Sequence, residues 1–244
     1  MITLKVLSSL LTYPTAGLQA AAEELKAALW AEDLLPRAQE AEIYGLIDDI
    51  AASDLYEAQE RYVTLFDRTR SLSLHLFEHV HGEGRDRGQA MVDLLRIYEE
   101  GGYSPTASEL PDFLPLFLEY ASTRPAAEAL ELVGQPAHVL AALQERLAKR
   151  GSLYAVVFAA LIHLGKVVPD EATLAALRAE PDPAPDDLEA LDAAWEDEEV
   201  RFGPDANGCG DVLTAKLRQA RRPAPGLEPH PDTRRRTLVA NLPA

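Results

Sequence analysis

Between Arg61 and Met91 the chain reads RYVTLFDRTRSLSLHLFEHVHGEGRDRGQAM, the stretch richest in histidine, arginine and glycine together. His75, Glu78 and His79 fit the H-x-x-E-H order of inverted zincins, in which two histidines four apart on a helix bind zinc and the glutamate handles water. That spacing makes a zinc-dependent hydrolase the alternative function for this sequence. Only three positions of the pattern are fixed, no third-ligand motif accompanies it, and Gly82 follows three residues after His79, where zincin geometry wants a continuing helix. Taken singly, His75, His79 and His81 are better explained as hydrogen-bonded histidines than as ligands.

Two other chemistries fit the same segment. Gly82 to Gly88 joins glycines to arginines ahead of a helix start, as a phosphate loop does. It lacks the G-x-x-x-x-G-K-[ST] order, follows no strand, and carries Glu83 and Asp86, which oppose an anion. Alternatively, Asp67, Glu78, Glu83 and Asp86 face Arg68, Arg70, Arg85 and Arg87, enough for a self-neutralising network that pins a loop across a bundle. Such a loop can border a groove, and Leu72, Leu74, Leu76 and Phe77 supply apolar surface of the kind that accepts an amphipathic helix.

The elements that must carry this segment are helices. Leu18, Ala22, Leu25 and Leu29 share one helical face, as do Met91, Leu94, Leu95 and Tyr98 before Gly101-Gly102. Further stripes are Leu110, Phe113, Leu114, Phe117 and Leu118, then Val139, Leu143 and Leu147, then Leu153, Val157, Ala160, Leu161 and Leu164. The breaks are short: Tyr13-Pro14, Asp33 to Pro36, Ser53-Asp54, Ser104-Pro105, Arg124-Pro125 and Gly151-Ser152. Short links between amphipathic helices predict an all-α, up-and-down single-domain bundle of roughly seven to nine helices.

The expected organisation is a bundle over 1–169 and an acidic, proline-containing linker over 170–187. A short helix folding back over 188–215 and a basic, disordered tail over 216–244 complete it. Residues 170–199 hold twelve acidic side chains against one basic one. The tail carries seven Lys/Arg against two carboxylates, a net +5, which leaves −22 of the total −17 on residues 1–215. So acidic a body argues against nucleic acid and anionic membranes, and favours basic segments as partners. The same excess of carboxylate also simply keeps a protein soluble.

No apolar run is long enough to span a bilayer, the best being the twelve residues Leu153 to Leu164, so no stable membrane insertion is expected. Met1 to Leu11 lacks a signal-peptide pattern, which predicts a cytoplasmic protein. The single cysteine, Cys209, excludes an internal disulfide framework.

Longer runs carry a resemblance. Tyr62 to Arg68, Leu76 to Glu83, Arg85 to Leu95, Glu109 to Asp112, Leu114 to Leu116 and Leu118 to Tyr120 resemble the NarJ-type nitrate reductase molybdenum cofactor assembly chaperones. These are relatives of the TorD-like redox-enzyme maturation proteins. Leu10-Leu11, Tyr13-Pro14, Tyr154 to Val156, Trp195-Glu196, Phe202 and Cys209 to Asp211 also look like family positions, so the likeness covers about residues 1–215. Thr69 stands where the family commonly has glycine and Gly84 where it commonly has serine; the tail after Arg218 matches nothing in it.

The resemblance implies a TorD-like bundle that performs no catalysis. It implies a chaperone that binds the amino-terminal helix of the nitrate reductase catalytic subunit and supports cofactor insertion before membrane docking. Molybdenum cofactor biosynthesis proteins are implied as further partners, and no cofactor would be held stably. The expected client-binding residues are Asp67, Arg70, Leu74, Phe77, Glu78, His79, His81, Glu83, Arg87 and Met91, facing Leu110, Asp112, Leu114, Leu118 and Glu119. Leu74, Phe77, Leu114 and Leu118 would take the client's apolar face, and Glu78, Glu83, Asp112 or Glu119 its basic residues.

Overall fold

The computed structural model describes residues 1–81, 85–105, 109–184, 187, 189 and 236–238. Among them are twelve α-helices: α1 (Ile2–Leu10), α2 (Ala16–Ala20), α3 (Ala22–Glu32), α4 (Arg37–Ala52), α5 (Leu55–Phe66), α6 (Glu78–His81), α7 (Arg85–Glu100), α8 (Leu114–Ser122), α9 (Ala126–Gly134), α10 (Ala137–Lys149), α11 (Ala155–Gly165) and α12 (Glu171–Ala179). A single 3₁₀ turn, Arg70–Leu72, follows α5. Extended pairing among the described residues is limited to β1 (Tyr103–Pro105), parallel to β2 (Arg236–Leu238), and one bridge between His75 and Phe113. The bundle is all-α in class, as its periodicity predicts.

The spine is α1 against α8. Seven of the nine residues of α1 are buried, as are Leu114 to Ala121 of α8. The pair runs antiparallel: the Met1 amino group donates to Ser122 O, Lys5 pairs with Glu119, and Ser8 Oγ donates to Pro115 O at 2.7 Å. A second tight pair is α10 with α11, joined by a turn in which Gly151 adopts φ 67. α9 packs on α11 through two glycines: a Cβ on Gly165 would stand 2.9 Å from Gly134 Cα.

Two expected stripes are interrupted. The face from Leu18 to Leu29 is split at Ala21, which ends α2 and begins α3. The stripe from Leu110 to Leu118 is not one helix, because α8 starts at Leu114; Pro115 fits the first turn, where its missing N–H costs nothing, and Leu110 to Phe113 form a turn before it. Elsewhere the punctuation residues act as expected: Asp54 caps α5 through Tyr56 N at 2.9 Å, and Gly102 leaves α7 with φ 84.

Part of the stretch expected as an acidic linker is helical. α12 buries Leu174 and Leu177 against α10, Asp170 caps its first turn, and Arg178 holds Glu145 and Glu171 at 2.7 Å. The acidic composition masked an i, i+3 apolar pair long enough to dock. The expected helix over 188–215 and Cys209 lie outside the described residues, as does the tail apart from 236–238.

The glycine contact yields the first prediction. Gly165→Ala forces apart two backbones already in van der Waals contact, so urea denaturation is expected to show a loss of about 1–3 kcal/mol, the usual cost of overpacking. An unchanged midpoint would contradict this packing.

Candidate functional site

The segment that follows α5 is held by one carboxylate. Asp112, fully buried, accepts the Phe77 N–H at Oδ2 (3.1 Å) and meets His75 Nδ1 at Oδ1 (3.1 Å). Its backbone carbonyl accepts Leu76 N–H at 3.1 Å, and Leu114 N–H reaches Leu74 O at 2.8 Å. Residues 74–77 and 112–114 are thereby laced together ahead of α6 and α8. Further inside, Arg146 Nη1 donates to Ser71 O at 2.8 Å, and Tyr98 donates its hydroxyl hydrogen to Pro111 O at 2.7 Å. Thr69, at the position where the family commonly has glycine, sits in ordinary extended backbone and is buried, so no left-handed turn is needed there.

The two histidines part company. His75 lies in the bridge to Phe113, before α6 begins, and stacks near the Phe113 ring at 5.4 Å. Burial works against its charged form, but the Asp112 hydrogen bond and charge outweigh it and raise its pKa. His79 is buried, with Nε2 2.8 Å from Ser73 O, and burial lowers its pKa to about 4. His75 and His79 thus do not share one helical face, which removes the geometry that the zinc hydrolase reading requires. Among the described residues no group of three His, Cys, Asp or Glu side chains is placed to hold a metal ion.

The expected client-binding residues divide. Leu74, Phe77, Leu114 and Leu118 are 3%, 0%, 0% and 1% exposed and belong to the protein's own core. As a ready-made apolar surface they must be corrected: Asp112 lacing and α8 packing turn them inward. Glu119 points at Lys5 of α1, away from the segment. Glu78 pairs with Arg87 at 3.0 Å, the part of the expected charge network on which the lacing does not depend. Arg70 is half-buried in the 3₁₀ turn, Met91 packs partly buried on the core, and Leu110 is 48% exposed. Glu83 and the His81 side chain lie outside the described residues.

Asp67 lies elsewhere, in a cleft of about 320 Å³ that it lines with Thr12, Tyr13, Thr15, Tyr62, His75, Glu109 and Phe113. Burial raises the Asp67 pKa, and His75 opposes that rise. Tyr13 stands edge-on to Tyr62 with centroids 5.7 Å apart, and Tyr62 donates its hydroxyl hydrogen to Leu11 O at 2.9 Å. The cleft offers aromatic walls and two carboxylates, a setting suited to cationic side chains flanked by apolar ones. Tyr13, Tyr62, Glu109 and Phe113 were absent from the expected set. Tyr13 beside Pro14 is a large aromatic in a helix break, the one signal that could have drawn attention to it.

Residues 13–160 match the family described as nitrate reductase delta subunit. The chain belongs to the nitrate reductase delta subunit family. Similar curated relatives include the nitrate reductase molybdenum cofactor assembly chaperone NarJ of Escherichia coli (strain K12), 46% identical over 90% of this chain and 92% of that protein. The probable assembly chaperone NarW of the same strain is 39% identical over 86% of this chain and 87% of its own length. The probable chaperone NarJ of Bacillus subtilis (strain 168) is 31% identical over 67% and 90%. These family members are named as chaperones of assembly and not as catalysts. The buried Asp112 lacing and, Thr12 apart, the lining of the Asp67 cleft fall within the matched residues.

Acid stability follows from the buried imidazole. His79 titrates near 4 in the folded chain and near 6.5 unfolded, so between these values only the unfolded state takes up its proton. Its contribution therefore falls as pH drops from 6.5 to 4, by up to about 1.4 kcal/mol per pH unit. His75, with a raised pKa, acts oppositely: its stabilisation is complete below 6.5 and fades as pH climbs through its folded value. His79→Gln is expected to flatten the acid limb in urea titrations run from pH 6.5 to 4. An acid limb of unaltered slope would contradict a neutral, buried His79.

Proposed function

We propose that this protein is a chaperone for the catalytic subunit of a nitrate reductase. It binds that subunit's amino-terminal helix and keeps the subunit competent for molybdenum cofactor insertion before membrane docking. The observation that carries the reading is the 46% identity, across nine-tenths of both chains, to a relative named as such a chaperone. The work is done in the cytoplasm, and the cofactor is delivered to the client without being held stably here. Molybdenum cofactor biosynthesis proteins are the natural co-workers in that step. No helix among the described residues is long and apolar enough to cross a membrane.

The docking face that fits best is the cleft between α1, α5 and the turn before α8. Tyr13, 44% exposed, with half-buried Phe113 and exposed Leu110, would receive the apolar side of the client helix. Asp67 and Glu109 would receive its basic residues, drawn in by the strongly negative body. Of the expected contacts, Asp67 and Leu110 are retained in direct roles. Asp112, Leu74, Phe77 and Leu114 act by holding the face in shape, and Arg87 with Glu78 borders the same segment.

Isothermal calorimetry with a synthetic peptide of the client's amino-terminal helix tests this assignment. Asp67→Asn with Glu109→Gln is expected to weaken binding about tenfold or more, with a steeper salt dependence in the parent. Asp67 is exposed and Glu109 half-buried at the cleft, neither in the core, so the fold survives the change, whereas Phe77→Ala or Leu114→Asp would report on core stability. Peptide binding of parental strength in the double variant would remove the cleft from the docking site.

A further inference from the structure

The basic tail returns to the bundle at one place. Residues 236–238 form β2, which lies parallel to β1 in the register Tyr103 with Arg236, Ser104 with Thr237 and Pro105 with Leu238. β2 also rests against α8, so the tail meets the corner at which the chain passes from α7 through β1 toward the central helix. β1 is anchored to that helix, since Tyr103 is buried and stands edge-on to Tyr120 of α8 at 5.8 Å. Among the described residues β2 is the one strand that pairs with it.

Charge favours the same contact. Arg234 and Arg235 come directly before Arg236, and the register brings this run to the Tyr103 end of the pair, where α7 closes on Glu99-Glu100. The tail over 216–244 carries +5 and residues 1–215 carry −22, so the two attract at long range. Because the strands are parallel, β2 runs toward the same end as β1, and four residues beyond Pro105 stands Glu109, in the lining of the Asp67 cleft. Four residues of chain span at most about 14 Å, so the docked segment lies beside the acidic cleft. A parallel pair three residues long is marginal by itself, which makes the contact reversible, while the tether keeps the tail at hand.

We propose that the edge of β1 is a strand-accepting surface whose occupant is this chain's own tail, and that the docked tail competes with a basic client helix for the acidic face beside it. Main-chain pairing supplies the docking, as in other cases of strand addition to an open edge, and the arginine run supplies the competition. A docked tail offsets part of the negative field that draws a basic client in; a released one restores it. The identity of the competing client rests on the proposed function, whereas the docking of the tail does not.

Two full-length variants test this with the synthetic client peptide. Thr237→Pro with Leu238→Pro removes backbone N–H groups of the added strand and leaves every charge in place. Arg234→Gln, Arg235→Gln and Arg236→Gln together remove three positive charges. Calorimetry is expected to show the client peptide binding the proline variant about three- to tenfold more tightly than the parent, as loss of a competitor docked most of the time requires, with the arginine variant following it. A peptide of residues 231–244, added in excess to the proline variant, is expected to return the affinity toward the parental value. Hydrogen exchange without client is expected to be faster at Tyr103 or Ser104 in the proline variant. Equal client affinity in parent and proline variant, or a gain confined to the arginine variant, overturns the competition, and unchanged exchange at both amides overturns the docking. A client peptide that binds no form of the chain overturns the proposed function and the competition with it, while the exchange rates still decide whether the tail docks.

Discussion

A carboxylate with no solvent exposure organises the most distinctive part of this molecule. Asp112 answers one backbone N–H and one imidazole with its side chain and a second N–H with its carbonyl. Removing such an acceptor strands buried donors, which costs more than the bonds contribute on average. The irregular segment between α5 and α6 has no ladder of its own to satisfy its backbone. It borrows one from the turn before α8, and its position relative to the spine follows from that loan.

The α1–α8 spine transmits this order to the rest of the bundle. Because Leu114 begins α8 two residues after Asp112, the laced turn and the central helix are continuous. α1 then fixes α8 along its length, from Ser8 at Pro115 to Met1 at Ser122. The lining of the Asp67 cleft comes from both sides of this arrangement: Thr12 and Tyr13 follow α1, and Glu109 and Phe113 precede α8. A cleft assembled from three separated stretches keeps its shape only if the spine between them is rigid.

Much of this was legible in the sequence, and the limits have physical causes. Helical class, the breaks at Asp54 and Gly102, and the family were readable because periodicity, caps and long matching runs are local signals. That the segment from Asp67 onward faces the stretch beginning at Leu110 was readable too, since Asp112 laces the two together. What could not be read was direction. Phe77 and Leu114 look alike whether they face a client or the core, and only the Asp112 lacing, a contact across thirty-five residues, turns them inward. Tyr13 and Glu109 were missed because a cleft wall built from distant segments leaves no periodic trace. α12 was hidden by its carboxylates, whose neutralisation by Arg178 depends on where α10 lies.

Behind the Asp67 cleft stands a cluster of rings. Tyr62 lines the Asp67 cleft and Tyr154 lies behind it, their centroids 6.4 Å apart, with Phe66 edge-on to Tyr154 at 5.1 Å. The cleft wall is thus backed by core rings of α5 and the start of α11, close-packed as protein interiors are. A change in the shape of the cleft wall at Tyr62 is therefore felt at the start of α11, on the far side of the same rings.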